Sequence, residues 1–180
     1  MKWTKKHTMI TLFVATILIF AAAFYKLVIK PKPSTGNMTW KDIFEAVKRA
    51  YGYETAKITE KVIRLESRHF RSGLCKETNN YGNIMPGNYS GIYNLTYPYG
   101  WASLSGWWRE NPNYSPTGYY KSKENGLYYL TFSTPLASAM NTAKILHLRG
   151  NDPGLYYGEY QPDVDEYRQN VADTANQYIL

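Results

Sequence analysis

Cysteine is almost absent from this sequence: Cys75 stands alone, which excludes an intramolecular disulfide. Histidine is scarce too, and His7, His69 and His147 are too scattered to suggest a metal cluster, so no metal and no cofactor are expected. Acidic residues are missing from the whole N-terminal stretch, where the first to appear is Asp42. Of the 21 lysines and arginines, Lys2, Lys5, Lys6, Lys26, Lys30 and Lys32 lie in residues 1–37, leaving 15 against 14 acidic residues and a net charge of only +1 beyond them. A body so nearly neutral lacks the concentrated basic face that phosphate neutralisation needs, which argues against nucleic acid as a partner. The overall charge of +7 therefore belongs to the N-terminal segment.

That segment contains a long apolar run. Residues 9–25, MITLFVATILIFAAAFY, carry no charge and make roughly 26 Å of helix at ~1.5 Å per residue, close to a hydrocarbon core of about 30 Å. With Lys26 snorkelling, Leu27 to Ile29 lengthen the span, so residues 1–29 are expected to be a basic start and a single-pass transmembrane anchor. A cleaved signal peptide is the alternative, since Ala21-Ala22-Ala23 satisfies the small-x-small cleavage rule. Either places the body in the periplasm or outside, although lysines on both flanks weaken the positive-inside signal. Residues 30–37 read as a short proline-stiffened linker, and a folded domain is expected over 38–180.

Within the body, Thr39 before WKDIFEAVKRAYG predicts a capped helix ending at Gly52. A second helix is expected over 55–66, with Ile58, Val62 and Leu65 on one face and Glu66 beside it. From Tyr81 to Tyr129 glycine, asparagine, proline and tyrosine dominate, which predicts loops and short strands. Ser133-Thr134-Pro135 opens another helix to about Gly150, and Asp163 is expected to cap a last one running to Tyr178. The fold class is α+β: helices flanking an irregular, aromatic-rich lobe.

The stretch from Ile63 to Met85 carries the most chemical information. Glu66-Ser67 at a helix end, then Phe70, Ser72, Asn79-Asn80, Tyr81 and Gly82, resemble the signature of the peptidoglycan glucosaminidases of glycoside hydrolase family 73. That family usually has one residue between its Asn-Asn and a following Phe-Gly, whereas here Tyr81-Gly82 follows Asn79-Asn80 directly. Further on, Phe132-Ser133-Thr134-Pro135-Leu136-Ala137 is similar to the segment leading into the family's helix after its β-lobe. Gly158 to Tyr167 resembles its C-terminal tyrosine motif, which puts Tyr160 at the family's active-site tyrosine.

The resemblance implies a lysozyme-like domain that hydrolyses the β-1,4 bond after N-acetylglucosamine, with Glu66 and Tyr160 catalytic and the glycan strands of peptidoglycan as partner. The chemistry is consistent, because cleaving a glycosidic bond requires a carboxylic acid still protonated near neutral pH. An apolar helix face and an aromatic cleft raise a carboxyl pKa by desolvation.

A second carboxylate is less well marked. Glu110 and Glu124 lie in the irregular lobe, and Glu77 and Glu159 lie nearer the matched motifs. None is required if the substrate's own acetamido oxygen attacks the anomeric carbon. Asn80, Tyr81, Trp107 and Trp108 are expected to contact sugar, since aromatics stack on the C–H faces of pyranose rings. Asn79 and Asn80 also suit a turn fixed by local hydrogen bonds. A lytic transglycosylase, or a non-catalytic glycan-binding component of an envelope-spanning machine or virion, are the competing functions. The expected topology is checked with protease added outside spheroplasts, which should degrade the body; full protection there would refute the orientation.

Overall fold

The first helix follows from its cap. Thr39 Oγ1 accepts the backbone N–H of Asp42 at 3.3 Å, and Asp42 Oδ2 accepts that of Thr39 at 3.0 Å, closing a reciprocal capping box. Helix α1 (Trp40–Tyr51) then buries Ile43, Phe44 and Val47 along one stripe and stops at Gly52, whose φ of 88° only glycine adopts freely. Helix α2 (Tyr53–Glu66) turns back against it, followed by the short α3 (Gly73–Thr78). The computed structural model describes residues 38–85, 101–157 and 162–179.

In the second half, α4 (Trp101–Glu110), a 3₁₀ turn (Pro112–Tyr114), and the antiparallel strands β1 (Gly118–Lys121) and β2 (Tyr128–Thr131) precede α5 (Pro135–Leu148). Two further helices, α6 (Pro153–Tyr157) and α7 (Val164–Asp173), complete the described chain. Met38–Leu180 forms one compact unit.

Helix α5 is its centre. Thr134 caps it by accepting the N–H of Ala137 at 3.1 Å, and every residue from Leu136 through Ala143 is buried. Alanines and serine on that helix let α1 and α2 approach closely on one side. On another side its polar residues are pins. Asn141 accepts Trp108 Nε1–H at 2.7 Å and donates to the carbonyls of Tyr114 and Ala137, while Ser138 Oγ accepts the N–H of Tyr81 at 2.9 Å. These bonds fix α4, the 3₁₀ turn and the Tyr81 turn to one helix.

The hairpin is registered with Gly118 opposite Thr131 and Lys121 opposite Tyr128. It is seated by Leu130 N–H donating to Ile84 O and Phe132 N–H to Thr78 O, both at 2.9 Å. The chain is thus mostly helical with a small sheet, an α+β fold.

Two expectations need correction. The irregular lobe contains a ten-residue helix, α4, where no helical period was read; Leu104 and Trp108, four apart, supply a buried face, and docking against α5 overrides weak local propensity. The last helix ends at Asp173 rather than Tyr178, because Glu60 captures the backbone that follows. Glu60 is fully buried in α2, and its carboxylate accepts the N–H groups of Gln177 at 2.6 Å, Tyr178 at 3.0 Å and Ile179 at 2.9 Å. Asn176 Nδ2 adds a fourth bond at 3.1 Å. A tail bonded to a side chain in this way has no N–H groups left to extend the helix.

Among the described residues no helix is long and apolar enough to cross a membrane; the expected anchor in residues 1–29 and the linker after it lie outside the described residues.

Removing this buried carboxylate leaves the backbone N–H groups of Gln177, Tyr178 and Ile179 without their acceptor. Glu60→Ala is expected to cost about 3–5 kcal/mol of unfolding free energy in urea titrations, and to expose the C-terminal amides to hydrogen exchange. A loss within experimental error would show that the clasp carries no weight.

Candidate active site

Glu66 is the last residue of α2, and the chain stops being helical immediately after it. Ser67 Oγ donates to Ile63 O at 2.6 Å and accepts Phe70 N–H at 2.8 Å, turning the backbone over on itself. Arg68, His69 and Phe70 then have φ of 50°, 56° and 68°, three consecutive non-glycine residues in the left-handed region. Each costs roughly 1–2 kcal/mol, so such a turn persists only where its surroundings hold it. Here Phe70 is the anchor: its ring stacks on Trp40 of α1 at 4.1 Å, and Tyr81 meets the other edge of Trp40 at 4.7 Å. Glu66 is thereby left at a rigid corner rather than on a fraying helix end.

Two side chains from distant parts of the chain grip the carboxyl. Tyr167 Oη of α7 donates to Oε1 at 2.6 Å, and Asn83 Nδ2 donates to Oε2 at 2.8 Å and to the Glu66 carbonyl at 2.9 Å. Asn83 is itself in the left-handed region, with φ 50°, and its Oδ1 faces Cys75 Sγ at 3.6 Å.

The approach of the Asn83 loop depends on Gly82. A Cβ there would collide with Thr142 Oγ1 and lie 2.6 Å from Tyr156 Oη. Instead the Tyr156 hydroxyl donates to Gly82 O at 2.5 Å. Behind Tyr167 lies Tyr157, stacked ring on ring at 4.3 Å and 11°, with its hydroxyl donating to Asp163 Oδ2 at 2.9 Å.

The electrostatics follow from this geometry. Burial pushes the Glu66 carboxyl above its ordinary pKa and outweighs the hydrogen bonds from Tyr167 and Asn83, which favour the ionised form. The Tyr167 phenol is pushed far up by its own burial and by the Glu66 charge beside it, so it remains a donor. The result is an oriented carboxyl that holds its proton beyond the usual carboxylate range, the property a general acid needs.

The other residues singled out in the sequence lie elsewhere. Asn80 is 1% exposed, with Nδ2 donating to Ile84 O at 2.7 Å and Leu130 O at 2.9 Å and Oδ1 accepting Ile84 N–H at 2.9 Å. Tyr81 is a core residue. Both were expected to contact substrate, and both instead hold the turn between α3 and the hairpin. Trp108 is buried and bonded to Asn141, and Trp107 is half-buried against Tyr114 at 5.7 Å, so the pair packs α4 into the core instead of offering open ring faces.

Glu110 is exposed at the end of α4, and Glu124 is exposed in the hairpin turn with its N–H bonded to Ser122 Oγ. Glu124 acts with Glu77 on the Tyr120 phenol, raising its pKa after the larger effect of desolvation. Neither Glu110 nor Glu124 is a hydrogen-bond partner of Glu66 among the described residues. Tyr160 and Glu159 lie outside the described residues.

Sequence reasoning missed Asn83, Tyr167 and Tyr157. Tyr167 sits on the apolar stripe of α7 and reads as core, but a buried phenol needs a hydrogen-bond partner, and that need was the available signal. No protein-family model, no curated protein and no solved structure matches the chain.

Tyr167→Phe removes a bond that favours ionised Glu66, so the acid's pKa should rise and the alkaline limb of the activity profile should move to higher pH. Loss of orientation should at the same time lower kcat, by about 10²-fold for a displacement near 1 Å. An unmoved alkaline limb would mean that Tyr167 does not touch the titrating group.

Proposed function

We propose that this chain cleaves the glycan strands of peptidoglycan, with Glu66 as proton donor to the glycosidic oxygen. The observation that carries this reading is the half-buried Glu66 carboxyl, gripped at both oxygens and raised in pKa. Its place in a motif resembling the glucosaminidases adds the substrate class. The bond assigned is the β-1,4 linkage after N-acetylglucosamine.

In this reaction the C1–O bond breaks as the leaving oxygen takes the Glu66 proton. The acetamido oxygen of the same sugar closes on C1, and water then opens that ring, returning a proton to the Glu66 carboxylate. Asn83 and Tyr167 fix the direction in which the carboxyl presents its proton, and the small change in their bonding between the two states limits reorganisation.

A second reading has one observation in its favour. The groups bonded to the Glu66 carboxyl are a phenol and an amide, not a second carboxylate, which equally suits a lytic transglycosylase that uses one glutamate and the muramyl 6-hydroxyl in place of water. Muropeptide masses separate the two: reducing N-acetylglucosamine ends support the hydrolase, and anhydro-muramic acid ends the transglycosylase.

The apolar residues 9–25 support a membrane tether that holds the domain against the wall on the outer side. A tethered enzyme meets an insoluble substrate at high local concentration.

Glu66→Gln tests the assignment. An amide oxygen accepts from Asn83 and an amide nitrogen donates to Tyr167, so the fold should survive while turnover of sacculi falls by roughly 10²–10⁴-fold. Because folding raises the Glu66 pKa, the folded state binds that proton more tightly. Wild-type stability should therefore fall as pH climbs from the ordinary carboxylate range through the raised value, and this dependence should vanish in the variant. Wild-type turnover by Glu66→Gln would remove Glu66 from the reaction; equal inertness of both proteins on every peptidoglycan tried would favour a binding module.

A further inference from the structure

Tyr157 ends α6 with 38% of its surface exposed, although it stacks flat on the very tyrosine that bonds Glu66. One ring face is covered by Tyr167 at 4.3 Å, so the exposure falls on the rest of the ring. Its hydroxyl is not left to solvent but is held by Asp163 Oδ2 at 2.9 Å.

Asp163 makes this arrangement informative. It occupies the N-cap position of α7, where an aspartate ordinarily accepts an N–H of the first turn. Here its side chain makes no capping bond, and its backbone, at φ −107° and ψ 19°, is outside the extended region typical of a cap. The carboxylate that would secure the helix instead secures an exposed aromatic ring. The arrangement forgoes a local bond in α7 and gains a ring fixed at three points: one face by Tyr167, the hydroxyl by Asp163, and the backbone by α6.

A rigid, half-open aromatic face beside an acceptor oxygen has the chemistry of a sugar subsite. The C–H face of a pyranose packs on a ring while its hydroxyls need acceptors at the ring's edge. Asp163, itself exposed, supplies such an acceptor. The contact is also continuous with the acid, since Tyr167 touches both Tyr157 and Glu66.

We propose that Tyr157, held by Asp163, is the stacking platform for an N-acetylhexosamine ring of the glycan strand, next to the bond that Glu66 protonates. This rests on the glycan-cleaving reading and adds a binding residue to it, replacing Trp107 and Trp108 in the role the sequence suggested for them. Asp163 acts through Tyr157 as a positioning residue.

The test uses the full chain in a Glu66→Gln background, with the N-acetylglucosamine tetramer as probe in calorimetric titrations. Tyr157→Ala should weaken binding about 10-fold or more, the scale of one aromatic stacking contact, and Tyr157→Trp should restore most of it. In active protein the same alanine change should appear as a raised KM on sacculi rather than as a shifted pH profile. Asp163→Ala, which frees the ring without removing it, should give a smaller loss than Tyr157→Ala.

If the tetramer binds Tyr157→Ala as tightly as its parent, the platform is refuted while the glycan reading stands. A lowered kcat and displaced alkaline limb with unchanged affinity would make Tyr157 a support for Tyr167 only, and would also overturn the proposal. If the parent binds no amino-sugar oligomer and the wild type cleaves no peptidoglycan, the glycan reading itself fails and the platform fails with it.

Discussion

Docking of the C-terminal segment onto α2 is the contact on which the rest of this protein depends. Glu60 and Glu66 lie on the same helix, and each is completed by residues more than a hundred positions away in sequence. Glu60 binds the backbone of Gln177 to Ile179, and Glu66 receives the hydroxyl of Tyr167 from the helix just before that tail. The two carboxyls meet opposite fates. One is saturated by donors and serves as a clasp, whereas the other has two donors and a desolvated surface that favours its proton. The clasp holds the segment after α7 in place, and α7 brings the phenol that orients the Glu66 carboxyl, so the two carboxyls act in series along one helix.

Much of this was legible in the sequence, for physical reasons. Thr39 with Asp42, and Thr134 before Pro135, are local signals whose partners lie three residues away, and the helices begin where those signals place them. The apolar stripes of α2 and α7 are periodic and read directly, whereas α5 is buried all the way from Leu136 to Ala143. Glu66 was found because its neighbours on the helix are apolar and because its motif is local.

What was not legible is long-range. Nothing near Glu60 marks it for burial, and the clasp exists only because residues 176–179 return to it. Tyr167 and Val171 share a stripe, yet only one of them carries a hydroxyl that must find an acceptor across the fold. The tryptophans misled for the converse reason: an aromatic-rich segment fits sugar binding and core packing equally in one dimension, and burial of Trp108 against Asn141 is a tertiary fact.

The left-handed turn at Arg68, His69 and Phe70 has a consequence for how this protein can change. Net stabilities of domains are about 5–15 kcal/mol, so a few kcal/mol of backbone strain at one corner is a sizeable share of the whole. A chain selected for robustness alone would carry glycine or asparagine at such positions, which accept that geometry at little cost. The turn is therefore a reserve: a lineage, or an engineer, can draw extra thermal tolerance from the two exposed positions, Arg68 and His69, while Phe70 keeps its packing on Trp40. Phe70 is the exception among the three, because its ring on Trp40 is what holds the corner in place.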